Sequence, residues 1–257
     1  MNANAGVPGI TIAGVTKQYG NARSVLESID LVVAKREFIS LIGPSGCGKS
    51  TILKLIAGLA LPTSGTIRVD GMTPLNARET ISFVFQDATL LPWRTVKENI
   101  GLGLELERVS NDRREKEIAA LLELVGLDKV AGAYPRELSG GMKMRVSIAR
   151  ALATNPQLML LDEPFAALDE MSRDRLNEEI LRLRAEQNWT AVFVTHSVSE
   201  AVFLSDRIVV LAPNPGRIHA EFRVELPAPR TSAIRNSQEF DGIVARVSHT
   251  LRETLRP

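Results

Sequence analysis

No stretch of the 257 residues approaches the ~18 uninterrupted apolar positions that a membrane-crossing helix needs, so any link to a membrane is expected to come through a partner. Met1 to Gly9 lacks a basic stretch followed by an apolar one. It reads as a short flexible lead-in and not as a secretion signal. A single cysteine, Cys47, excludes an intrachain disulfide and fits a reducing compartment. The formal charge of +1 supplies no bulk field for a polyanion, so no nucleic-acid partner is expected. The chain also has no internal repeat and no low-complexity tract.

What is present fits a globular α/β chain. Apolar residues make up 44% and charged residues 24%, as in ordinary soluble domains. Ile10 to Val15 and Val25 to Val33 alternate as strands around a turn at Tyr19-Gly20-Asn21. Glu37 to Ile42 has the pattern of a buried strand, and Thr51 to Leu59 that of a helix stopped near Gly58. Thr66 to Val69 and Ile81 to Phe85 are further strands. From Thr95 to Thr154 the pattern turns helical; Ile118, Leu121, Leu122 and Val125 share one face, and Ser139 reads as an N-cap. Strands return at Leu158 to Leu161 and Thr190 to Val194 around a helix over Glu170 to Gln187, followed by Ile208 to Leu211 and Arg217 to Val224. Phe240, Ile243, Val244, Val247 and Leu251 predict a C-terminal amphipathic helix. The expected organisation is an α/β core from residues 1–87 and 157–230, a helical unit at 88–156, and the amphipathic helix within 231–257.

Three segments carry chemistry. Gly43-Pro44-Ser45-Gly46-Cys47-Gly48-Lys49-Ser50 fits the G-x-x-x-x-G-K-[ST] phosphate loop. Its glycines let backbone N–H groups face the phosphates, and the following helix aims its positive end at the same anion. Lys49 is suited to bridge the β- and γ-phosphates, and the Ser50 hydroxyl to ligate Mg²⁺. Cys47 within this loop is a spacer, expected to be covered by bound nucleotide. The second segment is the apolar strand Leu158 to Leu161, which ends in Asp162-Glu163. Asp162 is suited to the metal and its waters, and Glu163 to polarising an attacking water. The third is Leu138-Ser139-Gly140-Gly141-Met142, a capped helix start with two glycines that makes a second anion cradle. Two cradles and one acidic pair are most simply reconciled if the second cradle serves the nucleotide of another copy.

Taken in order, these motifs resemble those of ATP-binding cassette (ABC) transporter ATP-binding subunits over nearly the whole chain. The resemblance implies a P-loop NTPase (RecA-like) α/β core with an antiparallel β edge and an inserted helical subdomain. It implies that Tyr19 stacks on adenine, that residues 43–50 with Thr51 hold ATP, and that Gln86 links Mg²⁺ to a membrane subunit. Ser50, Gln86 and Asp162 are the implied metal set, and Glu163, His196 and Gln86 the catalytic set, with His196 sensing the γ-phosphate. Ser139, Gly140 and Gly141 become the cradle offered to the partner copy, and Ala166-Ala167-Leu168-Asp169 the loop that crosses to it, with Asp169 counted among the nucleotide contacts. Two departures stand out: Met142 replaces the family's glutamine, and Ala166 its serine.

Leu90 to Val96, Leu138 to Met142 and Pro213 to Ile218 are similar to the nitrate, sulfonate and taurine importer branch. That similarity implies transmembrane permease subunits as partners, an ATP-bound homodimer, a solute-binding protein acting indirectly, and a peripheral place on the cytoplasmic face of the inner membrane. The alternatives are the ATPase of an exporter, a non-transport cassette ATPase, or a P-loop kinase. A kinase has no use for a second cradle, and the chain has neither the long coiled coil of repair-type cassettes nor the second cassette of translation-type ones. His219, His249 and Trp189 are expected to be structural, and Trp93 to anchor the membrane partner.

Overall fold

The computed structural model describes residues 9–20 and 23–255. Most of the expected lead-in (residues 1–8) and Asn21 of the expected turn lie outside them. Strands β1 (Ile10–Lys17) and β2 (Leu26–Val33) pair antiparallel, and β3 (Phe38–Ile42) leads through the glycine-rich loop into α1 (Lys49–Ile56). Strand β4 (Ser64–Val69) returns to β1, and a short α2 (Pro74–Ala77) precedes β5 (Ile81–Val84). Then come α3 (Val96–Ile100), α4 (Leu102–Leu106), α5 (Asn111–Leu124) and α6 (Gly140–Leu152). Strands and helices alternate thereafter: β6 (Leu158–Asp162), α7 (Glu170–Gln187), β7 (Thr190–Val194), α8 (Val198–Leu204) and β8 (Arg207–Ala212). Strand β9 (Arg217–Arg223) and α9 (Gln238–Glu253) complete the described chain.

The strands make two sheets, an antiparallel one of order β2-β1-β4 and a larger one of order β5-β6-β7-β3-β8-β9. The larger sheet is parallel except for β9, which runs antiparallel to β8. This is the α/β P-loop architecture with antiparallel edges that the motifs led one to expect.

Burial follows from the sequence patterns. Every residue of β3, β6 and β7 is buried, as near-continuous apolar runs require in a parallel sheet covered on both faces. The pleat divides them between two cores. Phe38, Ile42, Met159, Leu161, Ala191 and Phe193 join one with α6 to α9, while Ile39, Leu41, Leu158, Leu160, Val192 and Val194 join another with α1 and the antiparallel sheet. Strand β2 alternates buried with exposed positions over most of its length, and β9 alternates half-buried with exposed ones, as strands with one solvated face do.

Several elements differ from the sequence reading, among them the short α2, which was not foreseen, and β1, which runs on to Lys17. Helix α1 starts at Lys49 because Gly48, at φ 97°, ends the loop there. Helix α8 was not foreseen: at seven residues it is too short to show a period, and its Ser197 cap, which accepts from the Glu200 N–H, sits inside a run that reads as a loop.

The aromatic centre of the first core is Trp189 against Phe38, ring centroids 6.1 Å apart, with Phe193 and Phe165 behind. Trp189 is only 1% exposed. Trp189→Ala should cost about 3–5 kcal/mol and lower the melting temperature by roughly 10 °C in a chain of this size. Thermal denaturation checks this; a shift within error would mean that the core is held elsewhere.

Candidate active site

The parallel register brings the chemistry-bearing residues to one edge. Val84 of β5 pairs with Leu161, and Asp162 with Val194. Leu41 of β3 also pairs with Val194, and Ile42 with Val210. The segments that carry Gly43, Gln86, Glu163 and His196 therefore all leave the carboxyl end of the sheet, the usual ligand edge of open α/β folds. Two bonds tighten this edge: the Glu163 N–H donates to the Val194 carbonyl at 3.0 Å, and the Thr195 N–H to that of Leu41 at 3.4 Å.

The glycine-rich loop is shaped from below. A Cβ on Gly43 would lie 2.7 Å from the Leu211 carbonyl and 2.8 Å from the Cys47 sulfur. Gly46, at φ 80°, has open space where its Cβ would be, so the loop mouth stays clear for a ligand. Lys49 is buried and its ammonium donates to the carbonyls of Gly43 at 2.7 Å and Pro44 at 3.0 Å, so it curls back over its own loop. An incoming phosphate would compete with those carbonyls for the same protons.

Cys47 corrects one expectation. Its thiol is fully buried by the protein itself, packed beneath the loop and toward β8, and burial pushes its pKa up. Nucleotide is not needed to cover it, and only its backbone is placed to contribute to the cradle.

At the floor, Ser50 Oγ donates to Asp162 Oδ1 at 2.9 Å. Burial pushes the Asp162 carboxyl above its ordinary range; the Ser50 hydroxyl opposes that push and the Glu163 charge adds to it. A hydroxyl and a half-desolvated carboxylate, both hard oxygen donors, fit Mg²⁺, which takes few protein ligands and relies on phosphates and water for the rest. Among the described residues no group of three or more His, Cys, Asp or Glu could hold a metal without such help. Next to this pair, Glu163 Oε2 and His196 Nδ1 lie 3.3 Å apart. Glu163 takes φ 47°, a left-handed turn that a non-glycine residue adopts only under constraint. The structure thus brings together Lys49, Ser50, Asp162, Glu163 and His196.

The remaining expected residues lie in other places. Tyr19 lies two residues past β1 and is 47% exposed, with the Lys17 ammonium over its ring at 4.5 Å from the centroid. Gln86 is exposed two positions past β5. Ser139 is exposed and caps α6 by accepting from the Met142 N–H at 3.3 Å, which leaves its hydroxyl proton free to donate. Gly140 is exposed beside it, and a Cβ on Gly141 would lie 3.2 Å from the Ala167 carbonyl. Asp169 caps α7 by accepting from the Ser172 N–H at 2.9 Å, and the Ser172 hydroxyl and amide hold its pKa down.

Some contributors escaped the sequence reading. A Cβ on Gly216 would fall 2.1 Å from the Cys47 carbonyl, so the 213–216 turn props the phosphate loop directly. The only signal for it was the branch-like wording of Pro213 to Ile218. Thr195 and Glu200, buried behind His196, gave none.

A family model described as ABC transporter matches residues 26–166. The chain is 43% identical over 232 residues to the aliphatic sulfonates import ATP-binding protein SsuB of Bacillus cereus, covering 90% of each chain. It is 49% identical over 228 residues to the bicarbonate transport ATP-binding protein CmpC of Synechococcus elongatus, covering 86% of this chain and 34% of that one. Among solved structures, a post-hydrolysis dimer of the ATP-binding cassette MJ0796 bound to ADP and Pi superposes with a TM-score of 0.79 at 33% identity. That match covers 85% of this chain and all of the other.

Glu163→Gln keeps the shape of the side chain and removes its basicity. Steady-state turnover should fall by about 10²-fold or more, while ATP affinity measured by titration stays close to that of the unaltered chain. Near-normal turnover would remove Glu163 from the chemistry.

Proposed function

The chain belongs to the ABC transporter family as an ATP-binding, ATP-hydrolysing subunit, and we propose that it energises an importer of a small oxyanion or related solute such as a sulfonate, nitrate, taurine or bicarbonate. The identity to SsuB over nine-tenths of both chains carries this reading. Among the described residues no helix is long and apolar enough to cross a membrane. The proposed place is therefore the cytoplasmic face of the inner membrane, held there by permease subunits, with a solute-binding protein acting indirectly through them. Reconstitution with the permease subunits that co-purify with the chain should give ATP-dependent uptake of one of these solutes; ATP-dependent efflux would favour the exporter reading instead.

In this reading two copies meet head to tail. Lys49 exchanges the Gly43 and Pro44 carbonyls for β- and γ-phosphate oxygens, and Tyr19 stacks on adenine. The backbone N–H groups of residues 45 to 51, from Ser45 to Thr51, surround the phosphates, while Pro44, which has no N–H, shapes the loop. Ser50, Asp162 and Gln86 would hold Mg²⁺, which would supply charge neutralisation for the phosphoryl group. Glu163 orients and deprotonates the attacking water, and His196 donates to the γ-phosphate from the position its Glu163 contact sets. Ser139 and the amides of Gly140 and Gly141 reach the nucleotide of the other copy, and Asp169 lies on the loop that approaches it. The contacts around the γ-phosphate hold the dimer closed and disappear on hydrolysis.

Coupling to the permease is assigned to the surface around Trp93. Trp93 is 71% exposed, so it is not part of a core. Its loop is nonetheless rigid. Fully buried Asn99 accepts from the Leu91 N–H at 2.8 Å and donates to the carbonyls of Leu91, Arg94 and Thr95. Arg150 of α6 donates at 3.0 Å to both the Ala88 and Thr89 carbonyls. Trp93 borders a groove of 690 Å³ with Arg94, Arg114 and Ile118. An aromatic held rigidly at a groove suits an interface anchor.

Two results would test this assembly. Lys49→Ala should lose ATP binding and Ser139→Ala should lose turnover only. Mixing the two should restore part of the activity, because one interface of a mixed dimer carries neither lesion. No rescue from mixed dimers shown to form, with one intact site shown to turn over alone, would count against the shared site. Trp93→Ala should leave melting temperature and ATP affinity of the isolated chain unchanged and abolish co-purification with the permease. Normal co-purification would move the coupling surface elsewhere.

A further inference from the structure

Behind the candidate active site, a single polar chain joins the loop that carries His196 to the 166–169 loop. Thr195, the residue before His196, is buried. Its hydroxyl donates to Glu200 Oε2 at 2.5 Å and accepts from the Ser197 N–H at 3.0 Å. Glu200 is 6% exposed. Its other carboxylate oxygen faces Arg173 Nε at 3.4 Å. From the same guanidinium, Nη2 donates at 2.9 Å to the carbonyl of Leu168, inside the 166–169 loop.

Two neighbours brace this chain. Arg145 of α6 donates to the Ser172 hydroxyl at 2.6 Å, which ties the helix that begins at Ser139 to the first turn of α7. Arg235, in the turn before α9, donates to Ser199 Oγ at 3.0 Å and pairs with Asp174 at 3.1 Å, spanning α8 and α7 from behind. Its guanidinium also lies 4.1 Å from the Phe203 ring centroid.

We propose that Arg173 and Glu200 are positioning residues which make the His196 loop and the 166–169 loop move as one unit, so that engagement of a second copy at 166–169 sets His196 and Glu163 for hydrolysis. The chemistry of the two groups supports the coupling. A carboxylate this deep requires a charged partner, so Glu200 follows Arg173 through their ion pair, and Thr195 follows Glu200 through its hydrogen bond. The guanidinium fork is planar and fixed, so the carboxylate and the Leu168 carbonyl keep their mutual placement when either moves. An ammonium on a flexible stem can serve one of them but does not hold both in register. The C-terminal segment gains a role here as well, since Arg235 keeps α7 and α8 from separating under the load.

The proposal rests on the reading that Glu163 and His196 serve ATP hydrolysis, and the test separates the two. Turnover against ATP concentration is measured on the full chain for Glu200→Gln, Arg173→Lys and the double variant. Glu163→Gln is run in parallel, with a thermal melt of each protein. Each relay variant should lower kcat by roughly tenfold or more, as misplacement of a reacting group does, with KM nearly unchanged. The double variant should be no worse than the worse single one, because both break the same chain. Should either variant be unfolded at the assay temperature, Thr195→Val, which removes only the hydroxyl, should show the same kcat loss. Unchanged kcat, losses that multiply in the double variant, or a deficit confined to KM or to melting temperature would overturn the relay. An inactive Glu163→Gln beside fully active relay variants would overturn the relay alone. A fully active Glu163→Gln would overturn the site reading and the relay with it.

Discussion

The backbone hydrogen bonds that lock β3, β6 and β7 in parallel register are the constraint from which the rest of the molecule follows. Because Leu41 and Asp162 both pair with Val194, the phosphate loop, the acidic pair and the histidine loop leave the sheet at the same height. A slip of one residue in β6 would turn Asp162 to the opposite face and pull Met159 and Leu161 out of their core. The pleat therefore ties the chemistry to the packing. The alternating core assignments of Leu158 to Leu161 are also what aims Asp162 at Ser50.

The site carries charge that its own chain satisfies only provisionally. Lys49 rests on loop carbonyls, Asp162 on the Ser50 hydroxyl, and Glu163 on His196. Each arrangement fills hydrogen-bonding capacity that phosphate, metal and water would otherwise take. Structural ion pairs such as Arg207–Glu37 and Lys35–Asp70 occur at the ends of strands away from this edge. Part of the cost of buried charge thus falls where ligand can relieve it, while that of Glu200 is offset within the chain by Arg173 and Thr195.

Rigidity is distributed with the same economy. The Trp93 loop has little apolar packing of its own and is held by polar bonds from Asn99 and Arg150. Arg150 is half-buried, its pKa is depressed by desolvation, and it lies on α6, the helix that Ser139 caps. One rigid helix therefore connects the proposed permease surface to the cradle offered to a second copy. The Arg173–Glu200 chain makes a comparable link on the other side of α7, between the two loops nearest the hydrolysis site.

Local chemistry was legible in the sequence wherever it was confined to one segment. Helix α7 and strand β7 have the expected boundaries, because a run of helix-forming residues closed by the Asp169 cap and a left-handed Asn188, and a short β-branched run, are set by local residues. The phosphate loop, the acidic strand end and the Ser139 cap were readable for the same reason: each depends on neighbours within a few positions. Residues whose roles depend on distant partners were not. Gly216 matters because the Cys47 carbonyl lies against it, and Glu200 because Thr195 and Arg173 converge on it. The burial of Cys47 beneath its loop was equally hidden, since a thiol in a glycine-rich run can face ligand or core, and only the approach of β8 decides which. The sequence by itself determined the kind of chemistry, because backbone amides, an ammonium and two carboxylates are properties of residue types at fixed spacings. Tertiary structure decided which of those groups meet, because the register between strands far apart in sequence sets distances that no local pattern encodes.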